Sequence, residues 1–404
     1  MTIAVISRSD ASGGGAGRVA DELCAGLRSS GQHVLRVYRK GDRPTDSDTV
    51  LLPALRGEQG LRQLAGVDLA TLPLAKLLKE RGVTLAHFHD THMAFGLRSA
   101  QRAAAVMPVC FTFHDYTGFT GGCMYPAGCV RFDVGCGQCP ETGVNAQPVR
   151  IDLSASTWDA NRRFAETPGV AAISPSAHFA ALAERGAWHG RRVEVIPNGA
   201  DIETFHPSHR RPARAAESVE KDHRILLFVA AQVGDPRKGL ADLLPQLRPR
   251  FEQDPSLQLW VVGGEPERVS GLDAFGDRVR RFGSVRDKNR LAAIYAAADL
   301  FLLPSREDNL PCTAVEALAC GTPVVGRPVG GIPEIFEDGI SGTLAATMKP
   351  DALGWAIDRA LATLARDEGR AAARLRATSR FSLQRFVTAH TRLYEGLLSA
   401  RRFA

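Results

Sequence analysis

Short apolar runs alternate with stretches of helical spacing from one end of this chain to the other, and few folds accommodate that rhythm. The strand candidates of the first half are residues 3–6, 34–38, 85–89, 109–113, 169–173 and 193–196. Between them lie segments such as 18–28, where Val19, Leu23 and Leu27 recur at helical spacing. The pattern resumes at 225–229, 257–262, 279–282, 300–303 and 322–325. Strand, crossover helix and strand in repetition imply parallel sheets covered by helices. At 404 residues with 44% apolar side chains, the chain exceeds one ordinary domain and can build two cores. The expected fold is therefore α/β, with two doubly wound domains facing across a cleft. Residues 206–223, charged and nearly free of large apolar side chains, read as a linker or exposed loop between the halves. Phe386, Leu393, Tyr394 and Leu397 predict a closing helix within 381–398.

A net charge of +6 is mildly basic for this length and is compatible with a phosphate-bearing substrate or an anionic membrane surface. No dense Lys/Arg block with interleaved aromatics appears, so no nucleic-acid partner is expected. The opening Met1-Thr2-Ile3-Ala4-Val5-Ile6 enters a strand at once, without the series a secretory signal needs, and no apolar stretch is long enough for a membrane span. The expectation is a cytoplasmic protein, at most touching the inner face of the cell membrane.

In open parallel sheets ligands gather at the carboxyl ends of the strands, and three segments there can carry chemistry. Gly13, Gly14 and Gly15 follow the first strand and precede a helix, where glycines admit close backbone approach and a helix start favours an anion. A tight turn needing positive φ is the competing explanation. Arg237 and Lys238, in Pro236-Arg237-Lys238-Gly239, place two cations after the strand 225–229, which suits a diphosphate; a solvated basic turn is the alternative. The third segment, 304–316, reads PSREDNLPCTAVE and leads into a helix ending near Cys320. Asp308 and Glu316 suit sugar and ribose hydroxyls, since a carboxylate accepts from two adjacent hydroxyls. The amides of Asn309, Leu310, Cys312 and Thr313 lie where helix-start donors would face an anion.

Together these segments resemble the retaining family-4 glycosyltransferases of the two-Rossmann (GT-B) architecture. The matching pieces run in the family's order. They are the glycine loop 13–15, Phe111-Thr112-Phe113-His114-Asp115, Ile173-Ser174-Pro175-Ser176, the segment 195–201, Arg237-Lys238-Gly239, the acid loop 304–316 and the run 316–325. The resemblance implies an acceptor-side Rossmann-like domain over residues 1–194, with a C-terminal helix of about 381–404 packing back on it. A donor-binding domain would occupy 195–380. By matching position, Lys238 and Arg237 would hold the donor diphosphate, Asp308 the donor sugar and Glu316 the ribose. Gly13, Gly14 and Gly15 would pass close to the phosphates, and His114 would lie beside the reaction centre. The family's first acid is Glu, whereas Asp308 aligns here with Glu307 one position earlier, so either acid can take that role. Where many members carry a Gly-Arg pair, this chain has Ala230-Ala231-Gln232.

Cys123, Cys129, Cys136 and Cys139 fall within seventeen residues of glycine-rich sequence. Four thiolates with a terminal Cys-x-x-Cys read as a structural zinc site, and four sulfur ligands would leave no open position for catalysis. Unligated thiols or two disulfides are the alternatives, the latter disfavoured in a reducing cytosol. The segment from His114 to Pro140 also resembles a bacterial, colanic-acid-like subgroup that builds exopolysaccharide or lipopolysaccharide. The resemblance therefore implies a UDP- or GDP-sugar donor and a glycan or lipid-linked glycan acceptor. Catalysis would need no metal, because cations and helix-start amides hold the leaving diphosphate. An epimerase, or an inactive sugar-nucleotide-binding scaffold subunit, is the rival on the same fold.

Overall fold

The computed structural model describes residues 1–52, 71–90, 95–140, 142, 151–266 and 269–402. They form two compact units, one of Met1–Pro197 with Phe386–Ala404 and one of Asn198–Arg385. The first unit holds seven strands in the order β3-β2-β1-β4-β5-β6-β7. These are β1 (Thr2–Ser7), β2 (His33–Tyr38), β3 (Thr49–Leu51), β4 (Leu85–Asp90), β5 (Val109–Thr112), β6 (Val170–Ser174) and β7 (Val193–Val195). The second unit holds six, β8 (Arg224–Gln232), β9 (Leu257–Gly264), β10 (Val279–Gly283), β11 (Leu300–Leu303), β12 (Val324–Gly326) and β13 (Gly342–Leu344), ordered β10-β9-β8-β11-β12-β13. Every pairing between these strands is parallel.

Central strands of such sheets are covered on both faces and read as continuous apolar runs. Ile3, Ala4, Val5 and Ile6 are accordingly all buried, as are Leu300 to Leu303. In each sheet the strand order reverses once, between β1 and β4 and between β8 and β11. A crevice opens at such a reversal because the loops leave the two neighbouring strands in opposite directions. The glycine loop follows β1, and the 236–239 and 304–311 loops follow β8 and β11.

Two features differ from the sequence expectation. β3 and β13, three-residue strands at the edges of the two sheets, lie outside the predicted strands. Residues 206–223 are not a linker: Pro207–His209 and Arg210–Ala216 are helical and belong to the second unit. Arg210 and Arg214 both pair with Asp299, which is 6% exposed, and Arg210 also donates to the carbonyls of Ala297 (2.9 Å) and Ala298 (2.8 Å). A charged segment with few apolar side chains is thus docked through its guanidinium groups.

The closing helix Leu383–Arg402 buries Phe386, Val387, His390 and Tyr394 along one face. Tyr394 is tied to β4 by a 2.6 Å hydrogen bond between its hydroxyl and His87 Nδ1, while His87 Nε2 meets Thr112 Oγ1 at 2.7 Å. His390 stacks on His87, which lies against His89, so four imidazoles with His114 share one interior. Burial pushes His390 down to about 4 and His87 and His89 well below the ordinary histidine value. The unfolded chain binds these protons near pH 6.5 and the folded chain does not. Stability is therefore complete above about pH 6.5 and is lost progressively as pH falls toward 4. Replacing His390 by Leu should make the acid slope of a melting-temperature titration shallower, by roughly one proton taken up on unfolding. Parallel curves for the two proteins would contradict this.

Candidate active site

At the second-unit reversal, the loop after β8 is shaped by Asp235. Its Oδ1 accepts from the Arg237 amide (2.9 Å) and starts the turn Pro236–Lys238, while its Oδ2 takes Arg237 Nη2 at 2.7 Å. Gly239 then adopts φ +72° and opens the helix Leu240–Gln253. A Cβ there would stand 2.0 Å from the Pro304 carbonyl oxygen, so only glycine lets this turn touch the loop after β11. The contact continues with the Arg306 amide donating to the Arg237 carbonyl (2.7 Å). It ends in an ion pair, Lys238 Nζ to Asp308 Oδ2, at 2.6 Å. Ser305 Oγ donates to the same carboxylate oxygen at 3.1 Å.

The acid loop is clamped from its other sides as well. Gly330, at φ +57°, passes so close that a Cβ would lie 1.7 Å from the Asp308 carbonyl oxygen. Gly331 N donates to Asn309 O (2.8 Å) and Asn198 Nδ2 to Leu310 O (3.0 Å). The Leu310 side chain is buried in the second-unit core. Pro311 precedes the helix Cys312–Ala319, which has no side-chain cap, so Cys312 and Thr313 form a helix start of the kind that receives anions. Glu316, 2% exposed, sits on that helix, and Glu307 is half-buried beside Asp308. The Lys238 side chain reaches the acid loop, and the Arg237 side chain pairs with Asp235.

Beneath these loops lies a network that sequence reading missed. Asp242 receives Arg306 Nε at 2.9 Å and Arg327 Nη1 at 2.7 Å, and Arg327, 1% exposed, also donates to Pro304 O at 3.2 Å. The Arg306 hydrogen bond is the largest of the effects holding the Asp242 carboxyl down to about 2. The partners are 64 and 85 residues apart, so no local pattern announces them.

In the first unit, the three glycines of the loop after β1 are not equivalent. A Cβ on Gly13 would lie 2.1 Å from Ser9 Oγ, and Gly14 has φ +121°. Gly15 meets nothing within 4 Å, so the fold does not demand glycine there. The loop is anchored by Arg36, buried on β2, whose Nη2 donates to Ser7 Oγ (2.7 Å) and Ser9 O (2.9 Å) and whose Nε pairs with Asp21 at 2.7 Å. At the end of β5, His114 Nε2 lies 3.0 Å from His89 Nδ1, beside a small pocket lined also by Thr112, Asp115 and Thr117. Burial, aided by His390, pushes the His114 imidazole down to about 3, so it is neutral at pH 7. His89 Nε2 is buried without a partner among the described residues. A buried orphan N–H costs more than a buried orphan lone pair, which favours His89 donating from Nδ1 to His114 Nε2.

Residues 13–204 match the Glycosyltransferase Family 4 model, and residues 223–363 match the model described as Glycosyl transferases group 1. The chain is of the glycosyltransferase family 4/group 1, GT-B type. It is 34% identical to D-inositol 3-phosphate glycosyltransferase of Mycolicibacterium gilvum over 185 residues, covering 45% of this chain and 42% of that protein. The match thus spans less than half the length of that curated relative. Among solved structures, sucrose-phosphate synthase from Thermosynechococcus elongatus aligns with a TM-score of 0.75 at 23% identity, over 99% of this chain and 100% of that one. The Anabaena protein HepE in complex with UDP-glucose aligns with a TM-score of 0.69 at 19% identity, over 98% and 100%. These likenesses establish the GT-B fold.

The four clustered cysteines of this glycosyltransferase-family chain line one open pocket in the loop between β5 and the helix Ser154–Ala165. All are free thiols, and among the described residues no group of three or more His, Cys, Asp or Glu is arranged to hold a metal ion. His92, which follows the predicted strand 85–89 and is a weaker candidate for acceptor contact by that position, lies outside the described residues.

The clamp on the acid loop has a direct test. Gly330→Ala places a methyl group against the Asp308 carbonyl at a left-handed backbone position, and should cost about 1–3 kcal/mol of stability. Chemical denaturation measures it; an unchanged midpoint would mean that the loop does not need this contact.

Proposed function

We propose that this chain is a retaining glycosyltransferase that moves a sugar from a UDP- or GDP-sugar to a hydroxyl of a glycan or lipid-linked glycan, in the synthesis of bacterial surface polysaccharide. The reading rests on the pairing of Lys238 with Asp308 beside an uncapped helix start that carries Glu316. A nucleotide-sugar donor presents a diphosphate, a sugar and a ribose, and these residues offer a cation and two carboxylates to receive them. The complex of HepE with UDP-glucose gives a fold-level precedent for such a donor. The surface-polysaccharide role rests on the resemblance of the segment 114–140.

In the proposed reaction the bond from the anomeric carbon to the diphosphate oxygen breaks while an acceptor oxygen bonds to the same face of that carbon. The departing phosphate oxygen takes the acceptor's proton, so no separate base is needed. Lys238, with Arg237 and the amides of Asn309, Leu310, Cys312 and Thr313, would hold the charge that develops on the leaving group. When donor phosphate draws Lys238 away, Asp308 is released to accept from sugar hydroxyls, with Glu307 adjacent. Neutral His114 would act as a hydrogen-bonding group beside the reaction centre rather than as a charged one. Gly15, whose surroundings are open, would let the donor phosphates approach the backbone after β1.

No described helix is long and apolar enough to cross a membrane. Contact with an anionic leaflet would then be through the surface. Arg98 and Arg102, both exposed, lie one turn apart on the helix Leu97–Ala104 and so share a face. Each can contribute about 1 kcal/mol near such a leaflet. Co-sedimentation with anionic vesicles should occur at low salt and vanish at high salt; absence of binding at low salt, with transfer to a soluble acceptor, would refute the membrane reading.

Incubation with labelled UDP- and GDP-sugars and an acceptor tests the main proposal, for transfer sustains it. Epimerised free sugar, or binding without turnover, would replace it with an epimerase or a scaffold. Two variants should then separate the roles. Lys238→Ala should lower kcat by about 10²–10³ with donor binding less affected, because its charge acts most as the diphosphate leaves. Glu316→Gln should weaken donor binding by about 1.5–3 kcal/mol in calorimetry. Activity within a few-fold of wild type in the first, or unchanged affinity in the second, would remove that assignment.

A further inference from the structure

We propose that Cys123, Cys129, Cys136 and Cys139 bind one structural zinc ion that holds the outer lobe of the loop following His114. The four thiols come from three separate turns of this loop and line a single pocket. None is engaged in a disulfide, and none belongs to the candidate donor site. Cys136 Sγ already accepts a hydrogen bond from the Gly121 amide at 3.1 Å, the kind of contact that steadies a metal-bound sulfur. A zinc ion with four thiolates carries two net negative charges, and the Arg131 guanidinium lines the same pocket. Arg131 is fixed there by donating to the Gly137 carbonyl at 3.1 Å.

The backbone supports the same reading. Ala127, Cys136 and Gln138 have φ of +48°, +47° and +49°, and Gly122, Gly128, Gly135 and Gly137 are also left-handed. Non-glycine residues hold such angles only where the surroundings over-determine them. Val130 and Val134 are 63% and 89% exposed. The inner side of the loop is secured by Asn161 Nδ2, which donates to Thr117 O and Thr120 O (2.9 Å each), and Trp158 Nε1 reaches into the outer lobe to donate to Phe132 O (2.8 Å). The outer lobe, from Cys123 to Cys139, buries Phe132 and Pro126, and its Gly137 and Cys139 amides donate to Ser154 Oγ (3.0 Å) and Asp152 Oδ2 (2.9 Å), which brings the Cys136 and Cys139 turn up to the same pocket. The thiols are not set as a finished ligand group, so they must draw in on the ion, each losing its proton, and the glycine turns between them allow that movement.

The test uses the full chain purified without added chelator. Elemental analysis should find about one zinc per chain, released by a thiol-specific mercurial and not by dialysis. Reconstitution with cobalt(II) should give the sulfur-to-metal charge-transfer and ligand-field bands of a tetrahedral thiolate site. Cys139→Ser should lose both signals, and Cys24→Ala, altered in a helix of the first unit's interior, should keep them. If the variant does not fold, the cobalt spectrum of the unaltered chain still decides. A chain that takes up neither metal after reduction and reconstitution, with its four thiols open to alkylation or paired as disulfides, overturns the proposal.

Discussion

A 2.6 Å contact between Lys238 and Asp308 joins the loops after β8 and β11, and the candidate donor site is arranged around it. The sheet order makes that contact available, because these are the neighbouring strands between which the crossover direction reverses. Neither loop holds itself in place. Gly239 and Gly330 lie so close to Pro304 and Asp308 that a side chain at either would collide with a carbonyl oxygen. Asp242, shared by Arg306 and Arg327, supports the loop from below. The result is a cation and a carboxylate that satisfy each other until a ligand offers both something better. Under the proposed function, such preorganisation would place the charge before the reaction needs it, which is where electrostatic catalysis gains most.

The first unit solves a different problem. His87, His89, His114 and His390 are packed in an interior that disfavours their protonated forms. The cluster joins the closing helix to β4 and β5 through Tyr394 and Thr112. The group expected beside the reaction centre is thereby tied to the segment that closes the fold. Its neutrality suits hydrogen bonding to an uncharged hydroxyl better than pairing with an anion.

How much of this was legible depended on whether the cause was local. Strands such as Leu300–Leu303 announce themselves because burial on both faces demands an unbroken apolar run. Thr49–Leu51 and Gly342–Leu344 do not, since each is a short edge strand that includes a threonine, so no apolar run marks it. The segment 206–223 was misread because its docking rests on Asp299, more than eighty residues away from Arg210 and Arg214. Asp308 and Lys238 were visible as residues of the right kind at strand ends, but not as a pair. The reasons for Gly13 and Gly14 are steric and local in space, whereas that for Gly15 is not supplied by the fold at all. His87, Arg36 and Arg327 carried no signal, being single polar residues whose partners are assembled only by the sheets.

The central claim is that the Lys238–Asp308 pair marks where the donor diphosphate and sugar bind. A crystal structure of the chain with a non-hydrolysable UDP- or GDP-sugar tests it most directly. The account predicts a diphosphate oxygen within hydrogen-bonding distance of Lys238 Nζ and ribose hydroxyls on Glu316. It also predicts that Asp308 is turned from Lys238 to the sugar. A nucleotide bound elsewhere, with the Lys238–Asp308 contact intact and remote from it, would contradict it.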